Sequence, residues 1–196
     1  MRLIINILLL AIAAYLVYAL AQSIKEPIAF NNARTYRTNV VVEKLKDIRT
    51  AEDLFRSIKG GFAPNFDTLK QVLSSDSFKI IKIIGDPDDP NFDKNDIVRD
   101  TTYFPAKDSV AVLGINLDSL KYVPFGGGKT FDIVADTITY QATNGVNVVE
   151  VSVPYKVFMG EYADKKFARY DRSYDPNERL KFGDLSKPTL SGSWDK

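Results

Sequence analysis

Leu3 to Ala21 reads LIINILLLAIAAYLVYALA, a run of nineteen residues interrupted only by Asn6. At ~1.5 Å of rise per residue it makes a helix about 28 Å long, close to the ~30 Å hydrocarbon core of a bilayer. No Asp, Glu, Lys or Arg falls between Arg2 and Lys25. Beyond Lys25 the chain is mixed-charge sequence of the kind that folds in water. The run is therefore expected to fix the protein to a membrane, and the remainder to fold beside it.

Two uses compete for such a segment. Arg2 supplies a basic flank, and Ala19-Leu20-Ala21 fits the small-x-small pattern of a signal peptidase site, with cleavage after Ala21. The run exceeds the ~7–15 apolar residues of an ordinary signal, which favours an uncleaved anchor. Positive charge precedes the run, while Lys25 after it is offset at once by Glu26. The N-terminus is then expected in the cytoplasm and the following domain across the inner membrane, in the periplasm. Residues 1–26 are read as the anchor and 27–196 as one α+β domain.

Composition narrows the chemistry of that domain. With Arg2 set aside, 25 basic residues face 25 acidic ones. A neutral balance argues against nucleic acid and against strong attraction to anionic lipid. Histidine and cysteine are both absent. Thiol, Ser-His-Asp and Cys-His mechanisms are excluded, and the commonest zinc ligands are missing. A non-enzymatic role is expected, with no cofactor.

Helical period governs the stretch after Pro27. Val41, Leu45, Ile48, Ala51, Phe55 and Ile58 recur at steps of three or four, and Lys44, Lys46, Asp47, Arg49, Glu52, Asp53 and Arg56 fill the opposite positions. Gly60-Gly61 ends the helix. Pro27 can begin this helix or kink one that started in the membrane. Two separate helices are the simpler reading; a single rod roughly 85 Å long is the alternative. A short helix follows at Phe66–Gln71, with Asp67 or Thr68 as cap and Gln71 completing a capping box.

From there the composition turns to β. Phe78–Ile84, Lys121–Phe125, Thr130–Tyr140 and Val146–Phe158 carry β-branched and aromatic residues, and Asn144-Gly145 signals a tight hairpin turn. Beyond Gly160 lies a polar tail with Tyr162, Phe167, Tyr170 and Tyr174, read as partly buried cover for the sheet. Trp194, the only tryptophan, is read as folding that tail back onto the domain.

Three clusters invite a functional reading. Asp89, Asn91, Asp93, Asn95 and Asp100 occupy places 1, 3, 5, 7 and 12 of a calcium-loop register. Lys94 replaces the glycine of that loop's sharp turn, so calcium or small-ligand binding is the alternative function rather than the leading one. Gly126-Gly127-Gly128-Lys129-Thr130 resembles the end of a phosphate loop, but Val123 stands where that motif has its first glycine. A turn between strands is expected there. Ala11, Ala14 and Tyr18 share one face of the membrane run, a surface where a second helix could pack.

Lys46–Ala51, Phe66–Leu69, Arg99–Thr101, Asp118–Phe125 and Gly192–Asp195 together resemble a family of uncharacterised single-pass membrane proteins of Bacteroidota. The resemblance covers most of the chain and implies an inner-membrane protein facing the periplasm. More faintly, the layout is similar to pilins and the pseudopilins of type II secretion. Those carry a processing glycine before the membrane run and a glutamate within it, whereas Met1–Ala21 contains neither residue. The expectation is a pilin-like structural subunit of the cell envelope. It touches lipid through residues 3–21 and binds other envelope proteins or itself through Ala11, Ala14, Tyr18 and the free surface of Arg34–Ile58.

Overall fold

The structure, a computed structural model, describes residues 2–84 and 98–195. The protein is α+β, as the composition predicts. Its first element is one helix, α1 (Arg2–Lys59), of 58 residues, about 87 Å end to end. Pro27 lies inside it without ending it. The simpler two-helix reading is thus corrected. A proline removes one helical hydrogen bond, but contacts from the distant chain bracket it. Glu26 is held by Arg169 and Tyr170, and Phe30 is fully buried among aromatic rings.

The two halves of α1 have opposite environments. Between Arg2 and Ile28 no residue is buried; from Phe30 on, a stripe through Val41, Leu45, Ile48, Glu52 and Phe55 is sealed into the core. Gly60 closes the helix at φ +79°, its N–H donating to the Arg56 carbonyl at 2.8 Å. The next helix, α2 (Phe66–Ser75), buries Leu69, Val72 and Leu73. Its cap is Asn65, whose side-chain oxygen accepts from the Thr68 N–H at 2.8 Å, not Asp67 or Thr68. Asn65 has the extended backbone a cap requires, and the next two residues are already helical.

Two antiparallel sheets follow. β1 (Ser77–Ile84) pairs with β2 (Val98–Pro105) as a two-stranded ribbon, which runs directly into α3 (Ala106–Val112). Neither β2 nor α3 is expected from the pattern alone. The larger sheet has the order β3 (Asp132–Tyr140), β4 (Thr143–Pro154), β5 (Arg179–Gly183). Between β4 and β5 come the short α4 (Tyr155–Phe158) and two 3-10 turns, Gly160–Tyr162 and Lys165–Arg169. One face of the sheet, with Ile133, Ala135, Val149, Val151, Val153, Leu180 and Phe182, packs into the same core as the α1 stripe. The period of two along each strand places these residues together.

Two β expectations are corrected. Lys121–Phe125 is not a strand; it enters a glycine turn closed by a single Tyr122–Thr130 bridge. The β3–β4 turn is made by Gln141 and Ala142, at φ +47° and +65°, rather than by Asn144-Gly145. Ile138 pairs with Val146 while Tyr140 pairs with Thr143, so Asn144 and Gly145 together face Thr139 in a bulge. Gly145, at φ +76°, takes the left-handed backbone the bulge needs, and the Thr139 hydroxyl donates to Asn144 Oδ1 at 2.8 Å.

Candidate functional site

A cluster of long-range side-chain interactions lies where α1 leaves its apolar half. Phe30 is stacked on Phe167 with centroids 5.4 Å apart and meets Tyr174 edge-on at 5.1 Å and Tyr162 at 5.9 Å. One turn earlier, Arg169 donates to both oxygens of Glu26 at 3.2 and 3.3 Å, and the Tyr170 hydroxyl donates to Glu26 Oε2 at 2.7 Å. Burial, helped by this bond to Glu26, pushes the Tyr170 hydroxyl up, so it stays protonated as the donor. One turn later, Arg34 pairs with Asp171 and stands 5.5 Å over the Tyr174 ring. Arg37 donates to the Phe158 carbonyl at 3.1 Å. A collar from residues 155–174 therefore grips α1 just above the apolar run. The four aromatics expected as sheet cover instead surround the helix.

Below the collar is an open groove between Tyr15, Tyr18, Ala19, Gln22 and Ser23 of α1 and Arg169 and Tyr170. Of the three membrane residues expected to share a face, Ala11, Ala14 and Tyr18, all are exposed and only Tyr18 reaches this groove. Much of the Arg34–Ile58 surface is consumed by packing: Arg34, Arg37 and Arg49 point into the domain, Arg49 donating to the Leu190 carbonyl at 3.4 Å.

Outside the apolar half of α1, exposed apolar surface gathers on the β1–β2 ribbon and the end of α3. Ile80, Ile81, Tyr103 and Phe104 are each about half exposed or more, and Val112 is 87% exposed. Ile80 and Phe104 lie on one face of the ribbon and Ile81 and Tyr103 on the other, by the pairings Ile80–Thr102 and Lys79–Tyr103. A two-stranded ribbon apolar on both faces is marginal in water and gains from being covered.

Glu52 is the one titratable side chain among the described residues that is fully buried. Its Oε2 accepts from the Ala63 N–H at 3.0 Å, and its Oε1 has no partner. Burial pushes its carboxyl from 4.5 to about 7, against the pull of the Ala63 bond and with help from Asp53. The sequence reading placed Glu52 on the solvent face. The signal that it is not is the spacing itself, since 41, 45, 48, 52 and 55 continue one stripe at steps of four and three. This buried carboxyl ties the loop that follows α1 back to the helix through the Ala63 N–H.

The remaining expected sites resolve as follows. Asp89, Asn91, Asp93 and Asn95 lie outside the described residues; the backbone of Asp100 is in β2, opposite Lys82. Among the described residues no three acidic side chains gather as metal ligands. Gly126, Gly127 and Gly128 lie in a turn in which the Val123 N–H donates to the Lys129 carbonyl at 2.9 Å; it leads into β3, but the segment before it is not the strand expected there. Trp194 folds back onto the core with its ring packed over Gly192. A cleft of about 250 Å³ lies between Arg56, Phe62, Val146–Val149 and Pro188–Leu190. Compared with known proteins, the chain matches no family model, and no curated protein or solved structure shows significant similarity to it.

Proposed function

We propose that the protein is a non-enzymatic, single-pass membrane subunit that binds other envelope proteins or further copies of itself. Its N-terminus lies in the cytoplasm and its domain in the periplasm. The observation that carries this reading is the continuity of α1: a bare apolar half long enough to cross a bilayer runs, unbroken, into the spine of the domain. Such a mount holds the domain at a fixed height and orientation, which is useful for presenting a surface to neighbours and has no bearing on turning over a substrate. A pilin-like layout, half helix in membrane and half helix as spine, is supported by the same feature. Orientation rests on Arg2 before the run and the neutral Lys25-Glu26 pair after it.

The presented surface is the ribbon with Ile80, Ile81, Tyr103 and Phe104. A photo-cross-linking residue at Tyr103 in the full-length chain, irradiated in the native membrane, is expected to give one discrete protein adduct. The same residue at Ser57, an exposed polar position, is expected to give none. Recovery of the Tyr103-labelled chain solely as a monomer, in irradiated membranes and in mild detergent, overturns the reading.

A further inference from the structure

We infer that the underside of the domain is a docking surface for the headgroups of anionic phospholipid, and this rests on the membrane-anchor reading above. Glu26 lies five residues past the end of the apolar run, about 8 Å along the helix axis. A bilayer's headgroup layer is of similar thickness, ~5–8 Å on each side of the hydrocarbon. Whatever is fixed to Glu26 therefore sits at the membrane surface, and the 165–172 segment is tied to α1 at Glu26 and again about 6 and 12 Å farther along the axis, at Phe30 and Arg34. Arg169 is on Glu26, Phe167 is stacked on Phe30, and Asp171 is paired with Arg34.

That segment is basic where the chain as a whole is neutral. Once the Glu26–Arg169 and Arg34–Asp171 pairs are set aside, Lys25, Lys165, Lys166 and Arg172 are exposed, with the Lys166 ammonium 4.9 Å from the centroid of the Phe167 ring. Among the described residues none of the four joins an ion pair. Three exposed carboxylates flank these four cations, Glu161, Asp164 and Asp175, so the local balance is positive by one. Cations within a Debye length of the headgroups, ~8 Å at physiological salt, feel the surface potential. Tyr15 and Tyr18, in the last turns of the apolar run, line the groove below Arg169 and suit the aromatic belt of the interface. Overall neutrality argues against lipid attraction only when charge is evenly spread; here the collar gathers it at the one place that meets the bilayer.

The test uses the full-length chain in nanodiscs of phosphatidylcholine alone and of phosphatidylcholine with one third phosphatidylglycerol. Amides of the 165–173 segment are expected to exchange hydrogen about tenfold more slowly in the anionic discs. The difference should vanish in 0.5 M salt and in the triple variant K165Q/K166Q/R172Q, while exchange in α2 stays the same throughout. Equal exchange in both bilayers overturns the inference even when the protein is inserted, and leaves the anchor reading standing; it is also the outcome if these cations serve an acidic protein instead. A chain that floats with neither type of vesicle overturns both.

Discussion

Neutralising Glu52 should leave the protein's stability almost independent of pH between 5 and 8. In the folded chain burial raises this carboxyl from 4.5 to about 7. At ~1.4 kcal/mol per tenfold, the ionised form is disfavoured by about 3 kcal/mol. Below pH 4.5 the group is protonated in both the folded and the unfolded chain, so no cost arises. Between 4.5 and 7 the unfolded chain releases its proton while the folded chain keeps it, so stability falls as pH rises. Above 7 the loss is complete. Asp76, Asp118 and Asp184 do not blur this window: hydrogen bonds from Lys59, Lys70 and Ser186 hold all three below the usual carboxylate value of 3.8. The parent chain should thus lose about 2–3 kcal/mol between pH 5 and pH 8. Glu52→Gln keeps the acceptor for the Ala63 N–H but places an amide N–H₂ where Oε1 has no partner. That costs about 1–3 kcal/mol at every pH, so the diagnostic is the pH slope rather than the absolute value. Urea unfolding of the full chain in mild detergent, followed by the fluorescence of Trp194, measures both. A parent equally stable at pH 5 and 8, or a Glu52→Gln variant whose pH profile parallels the parent's, refutes the reasoning.

Three further substitutions probe the frame of the domain. Gly183→Ala puts a Cβ 2.0 Å from the Val149 carbonyl oxygen at φ +79°; backbone cannot yield there without opening the β4–β5 ladder, and a loss of about 3 kcal/mol or more is expected by urea unfolding. Gly127→Ala, at φ +60° in open space, should cost only about 1–2 kcal/mol in the same assay. Phe30→Ala empties the centre of the collar and should cost about 3–5 kcal/mol; hydrogen exchange should quicken across residues 162–174 more than in α2, and uniform quickening would show that the collar is not a local unit.

What could be seen in the sequence follows the range over which each feature is determined. The Val41–Phe55 stripe and the Gly60 stop are legible because a helix writes its period within a few residues. β3 and β4 are legible as β-branched runs, but their connection is misread. Asn144-Gly145 does announce left-handed backbone, and Gly145 adopts it, yet the register that buries Val149 and Val151 opposite Ala135 and Ile133 moves the turn to Gln141-Ala142. The continuity of α1 through Pro27 is illegible for a similar reason. It depends on Phe167, Arg169 and Tyr170, more than 130 positions away, and no local rule reaches that far. Glu52 was hidden by residue type, since a glutamate on a helix is ordinarily solvated; the stripe it interrupts was visible all along. The basic underside could not be read from a net charge of zero, because only the fold decides which charges end up side by side.

The grip of residues 155–195 on α1 also sets a timetable for biogenesis. The Tyr170 bond to Glu26 spans 144 positions and the Arg49 bond to Leu190 spans 141. At ~5–20 residues added per second, about 7–30 s pass between the emergence of Glu26 and that of its partner. Through that interval the apolar half of α1 is complete, while Phe30 still lacks the rings of Tyr162, Phe167 and Tyr174 that enclose it. If the apolar half enters a bilayer as proposed above, its insertion and the closing of the collar are thereby ordered in time.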